Sequence, residues 1–95
     1  MEVEAVLDAL PGVQESAVVG VPDADLGERV VAVITAEPGA VVDDAAVRAA
    51  ARRRLAGYKV PKTVHRVDAL PRNAMGKVQK AQLRAAYRAS PRAEP

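Results

Sequence analysis

The order of helix-like and strand-like segments along the chain, α-β-β-α-β-α, predicts a small α+β domain. Its expected form is a mainly antiparallel three-stranded sheet packed with helices. Three observations carry that expectation. Apolar residues recur at helical spacing in three segments, β-rich apolar runs fill three others, and turns rich in Gly or Pro separate them. At 95 residues one domain is expected, with a core modest enough that association with a larger body would help it.

Glu2 to Leu10 reads as the first helix, because Val3, Val6, Leu7 and Leu10 fall on one face, and Pro11-Gly12 stops it. Ser16 to Val21 is a short β-rich run closed by Pro22-Asp23. Asp23-Ala24-Asp25-Leu26-Gly27 turns the chain, and Arg29 to Ala36 gives a second, more apolar strand. Two strands joined by a short loop ending in Gly predict an antiparallel pair. After the turn at Glu37-Pro38-Gly39, Asp43 or Asp44 caps a helix reaching about Leu55, buried along Val47, Ala50, Ala51 and Leu55. Gly57 suits the residue after the helix end, where a left-handed backbone is often needed. A third strand covers Thr63 to Val67. The last helix runs from about Val78 or Gln79 to Arg88, with Leu83, Ala86 and Tyr87 on one side. Residues 1–89 are thus expected as the domain and 90–95 as a flexible, proline-bearing tail.

The net charge of +2 conceals a division. Residues 1–44 hold ten acidic side chains and one basic one, a sum of −9, whereas residues 45–95 hold thirteen basic and two acidic ones, a sum of +11. Such polarity can steer an anionic partner toward one face. Arg48, Arg52, Arg53 and Arg54 are read as the solvated face of a helix. Cysteine is absent, which excludes disulfides and Cys-based metal sites, and His65, the sole histidine, reads as a strand surface residue. The apolar run Val30-Val31-Ala32-Val33-Ile34 is too short to span a bilayer. Met1 is followed at once by Glu2 and Glu4, unlike a signal peptide, so a cytoplasmic protein with no membrane partner is expected.

The chemistry concentrates in Leu70-Pro71-Arg72-Asn73-Ala74-Met75-Gly76-Lys77-Val78-Gln79, with Lys80 just beyond. A phosphate-binding P-loop needs Gly-x-x-x-x-Gly-Lys followed by Ser or Thr; here Pro71 and Val78 break that pattern, and no βαβ unit surrounds it. What remains is a turn-rich loop before a helix. Pro71 stiffens its start, Asn73 suits a turn, and Gly76 lets the backbone bend beside Lys77. The lysine offers a point charge with three donors to oxygens whose charge changes during a reaction. Spacing alone favours a plain surface lysine. No carboxylate pair, Ser-His-Asp set or metal cluster can be assembled. Asp23, Asp25 and Glu28 lack the ligand number of a calcium loop, so no metal site is expected.

Taken together, the motifs resemble the C-terminal domain of the AMP-forming adenylating enzymes, which include the acyl-CoA synthetases, the adenylation domains of peptide synthetases and the luciferases. The resemblance rests on Glu2-Val3-Glu4 with Leu7, Leu10-Pro11-Gly12-Val13, Ala17-Val18-Val19-Gly20-Val21-Pro22-Asp23 and Gly27-Glu28. It continues through Leu55-Ala56-Gly57-Tyr58-Lys59-Val60-Pro61 to the Leu70–Lys77 loop, in order and at family spacing. It implies that Lys77 is the adenylation lysine, bridging substrate carboxylate and nucleotide oxygens, and that Gly76 shapes its loop. It further implies a mobile domain that presents this loop for adenylation and its opposite face for thioester formation. On the same resemblance the chain starts after the family's hinge, leaving outside it the hinge residue, the Gly-rich loop that helps receive CoA, and the large N-terminal domain. The 95 residues are therefore expected to be inert and to bind no cofactor alone, with ATP, Mg2+ and CoA handled by a parent enzyme whose N-terminal domain is the partner.

Pro71 to Lys80 further resembles the loop of malonyl- and methylmalonyl-CoA synthetases, where most relatives carry Thr or Ser in place of Asn73 and Met75. Pro-x-x-x-x-Gly-Lys also resembles the site that bacterial protein acetyltransferases modify, which would make Lys77 an acetylation switch and such an acetyltransferase a partner. A basic nucleic-acid-binding module is a third reading. Only Tyr58 and Tyr87 could stack on bases, and no helix-turn-helix or zinc pattern is present, so no specific nucleic-acid partner is expected.

Overall fold

The computed structural model describes residues 2–23 and 27–88. Its elements are α1 (Glu2–Asp8), β1 (Val13–Asp23), β2 (Gly27–Ala36), α2 (Asp44–Arg52), a 3-10 turn (Gly57–Lys59), β3 (Thr63–Arg66) and α3 (Lys80–Tyr87). The expected order is therefore observed. The tail expected at 90–95 lies outside the described residues, as does Asp25 in the turn after β1. Among the described residues, no helix is long and apolar enough to cross a membrane.

β1 and β2 form the long antiparallel ladder, from Val13 opposite Ala36 to Asp23 opposite Gly27. β3 pairs with the other side of β2 and runs parallel to it, Val31 to Ile34 lying opposite Thr63 to Arg66. The sheet is thus mixed. The connection from β2 to β3 contains α2, so the chain returns to the starting end of β2 before pairing again, and such a crossover makes a parallel neighbour.

Strand alternation divides the core into two layers. Val18, Ala32, Ile34 and Val64 face α1 and α2, where Val3, Leu7, Val47 and Ala51 close over them. Ala17, Val19, Val21, Val31 and Val33 face the opposite side, under Leu70 and Leu83 and the half-buried Tyr87. β2 is central and covered on both faces, which is why it reads as an unbroken apolar run rather than an alternating one.

The α2 cap forms as expected: the Asp43 carboxylate accepts the Ala46 N–H at 3.2 Å. Gly57, however, does not adopt the left-handed conformation anticipated for it. α2 already ends at Arg52, and the N–H groups of Arg53, Arg54 and Leu55 donate to the carbonyls of Ala50 and Ala51, so a left-handed residue at position 57 has no helix end to close. On α3, Leu83 is buried and Tyr87 half-buried, but Ala86 is exposed. A helix of eight residues touches the sheet along the 83/87 line only, and Ala86 falls beside that line.

A ring stack and a hydrogen bond hold the end of α3. The His65 ring on β3 stacks on Tyr87 with centroids 4.3 Å apart and planes 19° apart. Buried Arg29 donates to the Tyr87 carbonyl at 3.2 Å and to the Pro22 carbonyl at 3.3 Å, and faces Asp23 at 3.7 Å. Burial holds the His65 pKa below its ordinary 6.5; the Arg29 cation adds to the effect, and Asp44 opposes it. Folded His65 therefore takes up a proton less readily than unfolded His65. Stability is full above about 6.5 and falls as pH drops from there through the lower folded pKa. Thermal melts from pH 8 to 5 should show that decline, and His65→Phe, which retains a stacking ring, should remove its upper part. Identical profiles for both proteins would separate His65 from the acid loss.

Candidate functional site

Pro71 to Gln79 folds back on itself as a short hairpin. The Gln79 N–H donates to the Pro71 carbonyl at 2.8 Å, Arg72 and Val78 form an antiparallel bridge, and the Asn73 N–H donates to the Lys77 carbonyl at 3.0 Å. The tip closes when the Gly76 N–H donates to the Asn73 carbonyl at 3.0 Å. Gly76 has φ 84°, the left-handed position that such a three-residue hairpin loop requires and that glycine adopts without strain. The Asn73 side chain completes the turn: its Oδ1 accepts the N–H groups of Met75 at 2.9 Å and Lys77 at 3.0 Å.

Gly76 and Lys77 therefore lie where the turn residues placed them, exposed at the tip of the hairpin. Met75 beside them is 86% exposed, an apolar side chain left open at the same tip. Both backbone polar groups of Lys77 are hydrogen-bonded, so a fixed backbone carries an exposed ammonium.

The base of the hairpin is tied to the domain on both legs. Leu70 and Val78 enter the α3-side core. From the first leg, the Arg72 guanidinium donates to the Gly76 carbonyl at 2.7 Å and pairs with Glu15 of β1. Beyond the second leg, Lys80 Nζ lies 2.8 Å from Glu4 Oε2, and the same oxygen accepts the Val18 N–H at 2.8 Å on the open edge of β1. Burial pushes the Glu4 carboxyl up, but the Lys80 hydrogen bond and the Val18 N–H outweigh it, and its pKa lies below the usual value.

Sequence patterns single out Gly76 and Lys77 but give no role to Glu4, Glu15 or Arg72, because Arg72 and Glu15 stand 57 positions apart. Glu4 and Arg72 lie within the motifs that carry the family resemblance, but only the charge division hints at their pairing. Glu2 pairs with Lys59, Glu4 with Lys80 and Glu15 with Arg72, each an acidic residue of the first half meeting a basic one of the second. Part of the polarity is thus spent inside the molecule rather than displayed to a partner. Arg52, Arg53 and Arg54 are exposed, as expected of a solvated face, while Arg48 is half-buried. Among the described residues, no group of three or more His, Cys, Asp or Glu side chains could hold a metal ion.

Chemically, the hairpin can offer one cation to an anion. Among the described residues, no acidic side chain pairs with the Lys77 ammonium, so a reaction needs a second surface facing it.

Residues 2–77 match the family model of the AMP-binding enzyme C-terminal domain. A methyl-dioxo-octahydroindenyl-propanoyl:CoA ligase of Mycobacterium tuberculosis is 53% identical over 83 residues, covering 87% of this chain and 16% of the relative. The 2-succinylbenzoate–CoA ligase of Geobacillus kaustophilus is 46% identical over 83 residues, covering 87% of this chain and 17% of that protein. In the crystal structure of ATP-bound MatB from Rhodopseudomonas palustris, 18% of the chain superposes on 93% of this one, with a TM-score of 0.90 and 52% identity. The chain thus spans less than a fifth of the length of these relatives.

Proposed function

Because the chain belongs to the C-terminal domain family of AMP-binding enzymes, we propose that it completes the adenylation site of an ATP-dependent, AMP-forming acyl-CoA ligase. The observation that carries this is the hairpin itself, which fixes the Lys77 backbone and leaves its ammonium exposed for a facing surface. In the reaction, a carboxylate oxygen attacks the α-phosphorus of ATP, and pyrophosphate leaves. The thiolate of CoA then attacks the acyl carbon, and AMP leaves. Lys77 bridges the substrate carboxylate and the nucleotide oxygens while negative charge moves between them, and Gly76 gives the loop its shape. ATP, Mg2+ and CoA are handled together with the N-terminal domain of the ligase, which is the principal partner; the 95 residues are inert alone. As the acid we propose malonate or methylmalonate, supported by the likeness of Pro71 to Lys80 to the loop of ligases for those acids.

The test is a panel of acids given to the ligase that contains this domain, with the 95-residue chain as the control. Malonyl- or methylmalonyl-CoA is the expected product, and none from the chain alone. Activity on acetate or a long fatty acid but not on malonate would end the substrate assignment.

The exposure of Lys77 favours a second role as a reversible acetylation site. Acetylation removes the charge that adenylation uses. After incubation with acetyl-CoA and a cognate lysine acetyltransferase, mass spectrometry should find Lys77 modified, and an unmodified Lys77 would end this role.

A further inference from the structure

We infer that Arg72 is a positioning residue for Lys77 and that Glu15 is its anchor on the sheet; this rests on the reading of Lys77 as the adenylation lysine. The geometry centres on one peptide bond. The carbonyl of Gly76 and the N–H of Lys77 belong to the same peptide plane. Arg72 donates to that carbonyl at 2.7 Å, and Asn73 Oδ1 accepts that N–H at 3.0 Å. The plane from which the Lys77 side chain departs is therefore held at both ends.

The two holds differ in what they fix. Asn73 belongs to the hairpin and sets only its internal shape. Arg72 reaches out of the hairpin to Glu15 and so sets its attitude to the domain. The backbone of Glu15 is itself held in the sheet. It sits at the register irregularity between Val13 and Glu15, where its N–H donates to Oγ1 of buried Thr35 at 3.1 Å. From there alternation places it with Ala17 and Val19 on the face beneath the hairpin.

Arginine is suited to this task because its planar fork can meet two acceptors at once, whereas lysine offers a single point charge. Energetics also argue for positioning over stability. The Arg72 and Glu15 side chains are 37% and 44% exposed, and a pair that open to water adds little to folding. A misplacement of about 1 Å in a reacting group, however, can cost on the order of 10²-fold in rate.

The experiment compares Arg72→Met, Arg72→Lys, Glu15→Ala and the double variant Arg72→Met/Glu15→Ala, with Lys77→Ala run in parallel. In the full chain, 15N relaxation of the Gly76 and Lys77 amides should report order parameters falling from about 0.85 to below about 0.6 for Arg72→Met. In the ligase containing the N-terminal domain, kcat for adenylation should fall roughly 10- to 100-fold with the KM for ATP unchanged. Thioester formation from supplied acyl-adenylate should stay near wild type. Arg72→Lys should not rescue adenylation, Glu15→Ala should fall between wild type and Arg72→Met, and the double variant should be no worse than Arg72→Met, since the two residues act in series. Wild-type adenylation by Arg72→Met while Lys77→Ala is inactive would overturn the positioning role alone. Equal loss of both half-reactions in Arg72→Met would overturn it as well. Adenylation surviving in Lys77→Ala would remove the reading beneath it.

Discussion

Replacing Lys77 by Ala in the ligase proposed to contain this domain is expected to stop acyl-adenylate formation while leaving thioester formation from a supplied acyl-adenylate largely intact. The side chain is exposed, so its loss should leave the fold unchanged. In the proposed role, what is lost is a cation on a fixed backbone, facing oxygens whose charge shifts as carboxylate attacks phosphorus. Removing one preorganised donor of that kind costs on the order of 10²–10³-fold in kcat. Lys77→Arg should not restore the rate, because a broad guanidinium replaces a compact ammonium at the tip of a tight turn. Lys77→Gln, which resembles the acetylated side chain in charge, should behave like the alanine variant. ATP–pyrophosphate exchange measures the first half-reaction, and CoA-dependent release of AMP from acyl-adenylate measures the second. Equal losses in both would assign Lys77 a structural role instead.

Local features were legible in the sequence, and long-range ones were not. The face of α1, the Asp43 cap and the β1–β2 hairpin each depend on residues close together in the chain, so their spacing was enough to find them. The parallel direction of β3 was hidden, because four residues carry no sign of which neighbour they will pair with; the path of α2 decides it. Gly57 misled because a glycine after a helical pattern looks like a terminator, whereas the helix closed earlier through its own last turn. The same split runs through the candidate site. Asn73, Gly76 and Lys77 declare a turn with an exposed lysine by their types alone. Arg72 and Glu15 meet only after β1 slips register near Glu15 and the hairpin folds down over that face.

Leu7→Ala and Leu83→Ala remove the same atoms from two buried sites, and their outcomes should differ in kind. Each large-to-small change costs about 2–5 kcal/mol. In a domain of this size a loss of about 3 kcal/mol lowers the melting temperature by roughly 12–24 °C. Leu7 is fully buried in the layer that joins α1, α2 and one face of the sheet, so Leu7→Ala should weaken all of these together and shift a single global transition. Leu83 is the buried residue of α3, an eight-residue helix with no side-chain hydrogen bond at its N-cap. A helix that short does not persist in water without its packing. Leu83→Ala should therefore release α3 while β1 and β2 remain paired, and hydrogen exchange over residues 80–87 should rise well before the strands exchange. The hairpin goes with it, because Lys80 opens α3 and Val78 shares the Leu83 layer. Adenylation should consequently fail in Leu83→Ala at temperatures where the sheet is still folded, but in Leu7→Ala only on global melting. Uniform exchange across the chain in both variants would show instead that α3 and the sheet open as one unit.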